Sequence, residues 1–192
     1  KELSKLCNVV IGLIVLAVLL SACAYQPAPA VDEAGIVLTD CVLKSPGIER
    51  QVDARCGSVT VSEDPSDPAS RQIDLRIAVV EAISRSPEPV PLRLLVGGPG
   101  QSAIETYPAI SSTLFRIHEK RDIVLVDQRG TGASNPLRCL DTEQEIVEDA
   151  EVIARLKECP EKLEADVRFY TTDIAMQDLD YVRSTLGYEA IN

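Results

Sequence analysis

Two short runs in which every residue is apolar restrict most strongly what this chain can fold into. Residues 94–96 and 123–126 contain only Leu, Ile and Val. Strands that are apolar on both faces are typical of a parallel sheet covered by helices on both sides. The sequence therefore predicts an α/β fold with a mostly parallel sheet that contains both runs.

Two antiparallel strands are predicted before these runs in the sequence. Residues 58–62 and 73–80 alternate between polar and apolar positions, which is the pattern of half-buried strands. The segment between them carries Pro65 and Pro68 and is predicted to be a turn. We expect the two strands to form a hairpin at an edge of the sheet.

Helices are predicted around the second apolar run. Residues 102–118 are expected to be helical with an interruption near Pro108, and a last helix is expected over residues 173–186. A further strand is expected to begin at Glu189. One apolar stripe of the last helix should face the sheet. It consists of Ala175, Leu179, Val182 and Leu186.

The first 22 residues have the pattern of a secretory signal. Lys1 and Lys5 precede an apolar run over residues 9–20, which ends in small residues. Twelve residues span only ~18 Å as a helix, which is short for a bilayer core of ~30 Å. A membrane-spanning anchor is the alternative.

The end of this segment also predicts a lipid anchor. Residues 20–23, Leu-Ser-Ala-Cys, resemble the lipobox of bacterial lipoproteins, which implies lipidation of Cys23 and attachment to the membrane through that lipid. We expect residues 23–40 to form a flexible tether and residues 41–192 to form the folded domain. The implied location is the bacterial cell envelope.

Net charge excludes one class of partner. The chain has 19 basic and 30 acidic residues, hence a formal charge of −11, and its basic residues do not cluster. A protein that binds nucleic acid normally carries a basic patch. We therefore expect no nucleic-acid partner.

Four cysteines follow the predicted signal and tether. Cys41, Cys56, Cys139 and Cys159 allow three pairings, and we favour Cys41–Cys56 and Cys139–Cys159 because each couple brackets a loop-rich stretch. A straight helix over residues 142–158, which the pattern also predicts, would hold the second couple ~25 Å apart. Free thiols are the alternative. No C-x-x-C spacing is present, so no metal site is expected.

Glycine turns follow both apolar runs. Residues 97–100, Gly-Gly-Pro-Gly, lie between a predicted strand and a predicted helix, where backbone N–H groups can bind a phosphate or an oxyanion. A P-loop requires a lysine that Gln101 and Ser102 do not supply. The dinucleotide fingerprint also fails, because Asn135 stands where the third glycine of the second turn would be.

Three motifs together resemble a known family. They are residues 97–100, the strand and turn over residues 121–134 (RDIVLVDQRGTGAS), and residues 170–173 (YTTD). They are similar to α/β-hydrolases, in particular to the serine exopeptidases of the proline iminopeptidase and tripeptidyl aminopeptidase family. Residues 56–61 resemble the first strand of that family. The match covers about residues 56–192, which implies that residues 41–192 form a partial α/β-hydrolase domain.

The resemblance implies roles for the first turn. It makes the backbone N–H of Gly98 one donor of an oxyanion hole. Gly97 and Gly100 would permit close approach of the substrate, and Pro99 would fix the shape of the turn. Such a donor typically contributes ~3–4 kcal/mol of transition-state stabilisation.

The second turn is implied to form the floor of the site. Asp127, Arg129, Gly130 and Gly132 match the family's turn after its next strand. We expect Arg129 to be buried against backbone carbonyls and not to touch the substrate. No metal or organic cofactor is implied.

The family's catalytic triad has no counterpart in this chain. Its nucleophile follows the strand that begins near Glu189, and its acid and base come later. His118 is the single histidine and is interpreted as part of a solvated helix end. Ser102 and Ser134 are interpreted as helix caps.

Two functions from different classes remain. In the first, the chain is the N-terminal part of an exported, lipid-anchored serine hydrolase. The substrate of that hydrolase would be a peptide, or a small ester if the enzyme is an esterase. The fragment itself would be inactive. The second is a non-catalytic lipoprotein of the cell envelope derived from the same fold.

Overall fold

The computed structural model of the chain describes residues 36–98, 100–138 and 149–192. The predicted signal over residues 1–22, the predicted lipidation site Cys23, Pro99 and Cys139 lie outside these residues. Within the described part, no helix is long and apolar enough to cross a membrane.

The strands of the described ranges form one mixed sheet. They are β1 (Thr39–Ser45), β2 (Ile48–Ser62), β3 (Gln72–Val80), β4 (Leu92–Leu94) and β5 (Ile123–Val126). Their order across the sheet is β1-β2-β3-β5-β4. β4 and β5 are parallel, whereas the other neighbours are antiparallel. The chain is therefore an α/β protein, as predicted, but the described sheet is mostly antiparallel and not mostly parallel as expected, because β1, β2 and β3 are joined by short turns and only β4 and β5 are joined through helices.

The predicted hairpin forms, but it is not at an edge. β2 and β3 pair from Arg55 opposite Val79 to Ser62 opposite Gln72. β1 pairs along the outer side of β2 and takes the edge position. The prediction was wrong there because the polar and apolar residues of β1 come in blocks and do not alternate.

The folded part also begins before residue 41. Ile36 and Leu38 are 3% and 5% exposed and belong to the core. They pack beside Gly57, where an added Cβ would lie 2.9 Å from Leu38 Cδ2. Residues 36–40 thus pack on the sheet and are not part of the tether predicted over residues 23–40.

The two apolar runs differ in burial. β5 is buried at every position, as predicted. β4 is only half-buried, and Leu95 after it is 56% exposed, so the prediction that residues 94–96 are covered on both faces was wrong for Leu95. β4 is the last strand at its side of the described sheet, with one described strand, β5, beside it.

Asn192 pairs with β4 in the pattern of a parallel strand. Its N–H donates to the Pro91 carbonyl (3.0 Å), and its carbonyl accepts from the Arg93 N–H (2.8 Å). Two bonds to the residues on either side of Leu92 are the pattern of parallel strands. The strand predicted from Glu189 is not formed over residues 189–191, and its predicted position beside β4 is supported by the two bonds of Asn192.

The described helices are α1 (Ala103–Ile110), α2 (Phe115–His118), α3 (Asp149–Lys162) and α4 (Thr172–Thr185), with a 3₁₀ turn at Val167–Phe169. The helix predicted over residues 102–118 is interrupted at residues 111–114 and not near Pro108. Pro108 lies inside α1 with a fully buried side chain. This packing offsets the one intrahelical hydrogen bond that a proline cannot make.

The helices cover the two faces of the sheet. On one face, α4 packs Leu179 and Val182 against Val124 and Val126 of β5. On the other face, Tyr107 of α1 packs against the alternate residues of β5, Ile123 and Leu125. The apolar stripe predicted for the last helix is buried as expected, at Ala175, Leu179, Val182 and Leu186.

One predicted disulfide is confirmed. Cys41 in β1 and Cys56 in β2 are bonded, with an S–S distance of 2.01 Å and a Cα–Cα distance of 5.8 Å. Cys159 lies in α3, which extends past the predicted helix end at residue 158, and it is buried and disulfide-bonded. Its predicted partner Cys139 is outside the described residues.

Candidate functional site

The order of β4 and β5 creates a crevice beyond the carboxyl ends of these two strands. The two strands are adjacent and parallel, and the helices α1 and α4 that follow them cover opposite faces. Such a switch in direction leaves an opening outside the carboxyl ends of the strands, where ligands of open α/β sheets bind. Both glycine turns lie at this opening, because residues 97–100 follow β4 and residues 127–132 follow β5.

A cleft joins the two turns. It has a volume of about 670 Å³ and is lined by Gly100 from the first turn and by Gly130 and Gly132 from the second. The hairpin tip between β1 and β2 contributes Ser45 and Pro46 to its wall. The structure thus brings the two turns singled out in the sequence to one concave surface.

The structure requires glycine at some positions of the first turn and not at others. Gly98 and Gly100 have φ angles of +122° and +88°, which L side chains rarely adopt. Gly97 has no positive φ, and no described atom outside its neighbours lies within 4 Å of an added Cβ. The local fold therefore does not require glycine at position 97.

The N–H of Gly98 is an unused donor. Within the described residues, no carbonyl or side chain accepts a hydrogen bond from it. The Gln101 side chain lies against Gly98, 3.2 Å from the position of an added Cβ. A backbone donor of this kind at the carboxyl edge is available to an incoming oxygen.

The carboxylate of Asp127 joins the second turn to the start of α1. Its Oδ1 accepts from the Ser102 hydroxyl (2.7 Å) and from the Ile104 N–H (3.2 Å). Its Oδ2 accepts from the Ala133 N–H (3.1 Å). Asp127 is 3% exposed, and its own N–H donates to the Arg76 carbonyl of β3 (3.0 Å). Asp127 is therefore fully engaged inside the protein.

Glycine is required in the second turn by this close packing. An added Cβ at Gly132 would lie 2.1 Å from Asp127 Oδ2 and 2.9 Å from Ser102 Cβ. At Gly130 it would lie 2.9 Å from the Tyr170 ring. Both residues also have positive φ.

The two serines of the turns have different roles. Ser102 caps α1, as predicted, since its hydroxyl accepts from the Glu105 N–H at 3.0 Å. The helix-cap interpretation was wrong for Ser134, which is fully buried and accepts from the Arg76 N–H of β3 at 2.8 Å. No helix begins directly after it, because the chain continues irregularly to residue 138.

Arg129 lies in a closed pocket of acceptors. Its Nη1 donates to the carbonyls of Glu63 (2.8 Å) and Phe169 (2.9 Å). Its Nε and Nη2 donate to the two carboxylate oxygens of Asp178 in α4 at 2.6 and 2.8 Å. The side chain is 1% exposed and points away from solvent, against backbone carbonyls as the sequence analysis expected.

Sequence reasoning missed Asp178 as the partner of Arg129. The signal was present in the helix pattern, because Asp178 falls within the stripe of α4 that faces the sheet. A carboxylate on a buried stripe needs a cation, since an unpaired buried charge is strongly unfavourable.

A hydrogen-bonded cluster continues from the second turn to the segment before α4. The Tyr170 hydroxyl donates to Glu63 Oε1 (2.8 Å) and accepts from the Asn135 side chain (2.5 Å). Arg71 donates to Asn135 Oδ1 (2.6 Å). Burial and the bond to Glu63 raise the pKa of Tyr170 to about 12. This cluster keeps the turn attached to the β2–β3 connection.

His118 does not take part in the site. It ends α2, is half-buried, and its Nε2 lies 2.8 Å from the Glu81 carbonyl that follows β3. β3 runs antiparallel to β5, so residues after β3 lie at the edge opposite the glycine turns. The only imidazole of the sequence is therefore remote from Gly98.

Comparison with known proteins finds distant relatives. The chain is 28% identical over 159 residues to a tripeptidyl aminopeptidase of Streptomyces lividans, which covers 72% of this chain and 29% of that protein. The same values hold for the tripeptidyl aminopeptidase of Streptomyces coelicolor. No family model matches the chain.

A third relative carries a broader name. The chain is 26% identical over 143 residues to the "Putative hydrolase YuaR" of Escherichia coli, which covers 69% of this chain and 29% of that protein. The names of these relatives support a hydrolase at a coarse level. The chain spans about 29% of the length of the curated relatives that it matches.

Proposed function

We propose that this chain is the N-terminal part of an exported serine hydrolase with the α/β-hydrolase fold, which releases N-terminal residues from peptides. The observation that carries the proposal is the unpaired N–H of Gly98 at the switch point between β4 and β5. The distant similarity to proteins named tripeptidyl aminopeptidase supports the choice of reaction.

The proposed chemistry is serine acyl transfer. A serine hydroxyl attacks the scissile carbonyl carbon, and a base takes the hydroxyl proton. The carbonyl oxygen becomes an oxyanion that the Gly98 N–H stabilises, by ~3–4 kcal/mol for a donor about 3 Å away. The amine then leaves with the proton, and water releases the acyl group.

The parallel pairing of Asn192 with β4 supports the position of the nucleophile. A strand parallel to β4 ends at the same edge of the sheet as residues 97–100. A nucleophile elbow follows such a strand in α/β-hydrolases. A serine placed there would lie beside the first glycine turn, as acyl transfer requires.

Gly97 supports the same interpretation independently. Neither its φ nor its surroundings require glycine. A missing side chain at that point leaves room for a ligand to approach the backbone. Substrate approach therefore supplies the reason for a glycine that the local packing does not supply.

Labelling with a fluorophosphonate probe tests the proposal. We expect the complete protein, expressed from the whole reading frame that contains this chain, to be labelled on one serine. The polypeptide of residues 1–192 should not be labelled. Absence of labelling in the complete protein would favour a non-catalytic envelope lipoprotein, and labelling of residues 1–192 would contradict the placement of the nucleophile.

Substrate assays separate the aminopeptidase from an esterase. Peptide anilides with a free amino terminus should be hydrolysed faster than the same peptides carrying an acetylated amino terminus. An esterase would prefer small aryl esters and would not discriminate between the two peptides. Equal turnover of free and blocked peptides would remove the aminopeptidase assignment while leaving the serine hydrolase.

Export and lipid attachment are proposed for the start of the chain. We expect Cys23 to be acylated in a bacterial host and the protein to fractionate with membranes. Metabolic labelling with an alkyne fatty acid checks this. Labelling should disappear in Cys23→Ser and persist in Cys7→Ser, and incorporation that survives Cys23→Ser would exclude the lipobox.

A further inference from the structure

We propose that Asp127 is a positioning residue of the oxyanion hole, which holds the turn over residues 97–100 by binding the first turn of α1. This inference rests on the proposed function. Asp127 touches no substrate in this role. It acts through Ser102, which lies four residues after Gly98.

The geometry of the carboxylate carries the proposal. Three donors from two separate segments converge on it, namely the Ser102 hydroxyl (2.7 Å), the Ile104 N–H (3.2 Å) and the Ala133 N–H (3.1 Å). Two of these donors lie at the start of α1, namely the hydroxyl of the capping Ser102 and the Ile104 N–H. The first N–H groups of a helix have no acceptor within the helix and need one from elsewhere. Asp127 thereby joins the two glycine turns across the crevice.

The chemistry of the site suits a carboxylate and no other side chain of its size. All three partners donate, and an ionised carboxylate has only acceptors. An asparagine would present an NH₂ group to one of these donors and would lose at least one bond. Gly132 leaves no space for the group to move, since its added Cβ would lie 2.1 Å from Oδ2.

The first turn has few side-chain neighbours of its own between β4 and Ser102. Gly97 and Gly100 have no described atom within 4 Å of an added Cβ, and Gly98 contacts the Gln101 side chain. The turn is therefore positioned mainly from its two ends, by the pairing of β4 with β5 and by the bond of Ser102 to Asp127. A displacement of about 1 Å in an active site can reduce the rate about 100-fold.

The test compares two carboxylates at opposite ends of β5 in the complete protein. Asp127→Asn should slow phosphonylation of the serine by a fluorophosphonate, in which the serine oxygen bonds to phosphorus and fluoride leaves, by about 10- to 100-fold and lower kcat by a similar factor, with KM changed less than about threefold. Asp122→Asn is the matched control. Asp122 also joins two segments, since it accepts from the Ala82 N–H and the Tyr188 hydroxyl, each at 2.8 Å.

A pair of buried serines provides a second comparison if Asp127→Asn does not fold. Ser102→Ala removes the hydroxyl between Asp127 and the Glu105 N–H. Ser134→Ala removes a hydroxyl that also accepts one backbone N–H, that of Arg76. We expect the phosphonylation rate of the folded protein to fall at least about fivefold in Ser102→Ala and to stay within about twofold of wild type in Ser134→Ala.

The outcomes separate this inference from the proposed function. If the fluorophosphonate does not label the wild-type complete protein, the proposed function fails. If it labels the wild type and Asp127→Asn reacts at the same rate as Asp122→Asn, the positioning role is excluded. A rise in KM with unchanged kcat in Asp127→Asn would also overturn it, because that result indicates substrate binding.

Discussion

Arg129 and Asp178 form a buried bidentate ion pair between the turn after β5 and α4. The two nitrogen–oxygen distances are 2.6 and 2.8 Å, and the side chains are 1% and 7% exposed. Because 49 residues separate them in the sequence, the pair connects two segments that no local interaction would align. It places the second glycine turn against the helix that covers one face of the sheet.

Breaking this pair should destabilise the protein strongly. Asp178→Asn leaves the Arg129 guanidinium buried without a counter-charge, so the free energy of unfolding should fall by about 3–5 kcal/mol. Urea denaturation followed by circular dichroism measures this. The control is Asp180→Asn, which breaks a pair with Arg183 whose aspartate is 69% exposed and should cost less than about 1 kcal/mol. Equal losses in the two variants would contradict the prediction.

Gly97→Ala should separate function from folding. The position has open space and no positive φ, so the free energy of unfolding should be unchanged or rise by up to about 1 kcal/mol. Phosphonylation of the complete protein by the fluorophosphonate should nevertheless slow by about tenfold or more, because the methyl group obstructs approach to the Gly98 N–H. Unchanged phosphonylation would show that ligand does not approach there.

Gly57→Ala is the control for Gly97→Ala and should affect stability but not activity. Its Cβ would lie 2.8 Å from the Val37 carbonyl and 2.9 Å from Leu38 Cδ2. We expect a loss of about 1–3 kcal/mol in stability and an unaltered phosphonylation rate of the folded protein.

The disulfide between Cys41 and Cys56 should stabilise the β1–β2 hairpin against unfolding. The two residues are 15 apart in sequence, and a loop of that size corresponds to about 3 kcal/mol through restriction of the unfolded chain. Chemical denaturation of Cys56→Ser and of the double variant Cys41→Ser/Cys56→Ser should give the same loss, because either change removes the bond. A double variant much less stable than the single one would indicate that the thiols stabilise by packing.

Tyr170 should make stability depend on pH in the alkaline range. Its pKa is about 12 in the folded protein and 10.0 as an unperturbed group, so the unfolded chain releases this proton first. The stability that it contributes is complete below about pH 10 and is lost as the pH rises towards about 12. The difference in urea midpoint between wild type and Tyr170→Phe should therefore shrink over that range.

Local patterns predicted the elements that surround the site. Alternation located β2 and β3, the continuous apolar run located β5, and an apolar stripe located α4. The same patterns were insufficient at the borders of the sheet. β1 lacks alternation of polar and apolar residues. The burial of Leu95 depends on what packs over β4, and a run of apolar residues does not specify those neighbours.

The sequence by itself determined that two strands are followed by glycine turns and that the second turn contains Asp127 and Arg129. It could do so because strand periodicity and turn chemistry depend on neighbouring residues. Only the tertiary structure decided the partners of these two side chains. Ser102 lies 25 residues before Asp127, and Asp178 lies 49 residues after Arg129. Such pairs form only when the order of the strands and the faces chosen by the helices bring the segments together, since a buried carboxylate or guanidinium must find its partners wherever the folded chain places them.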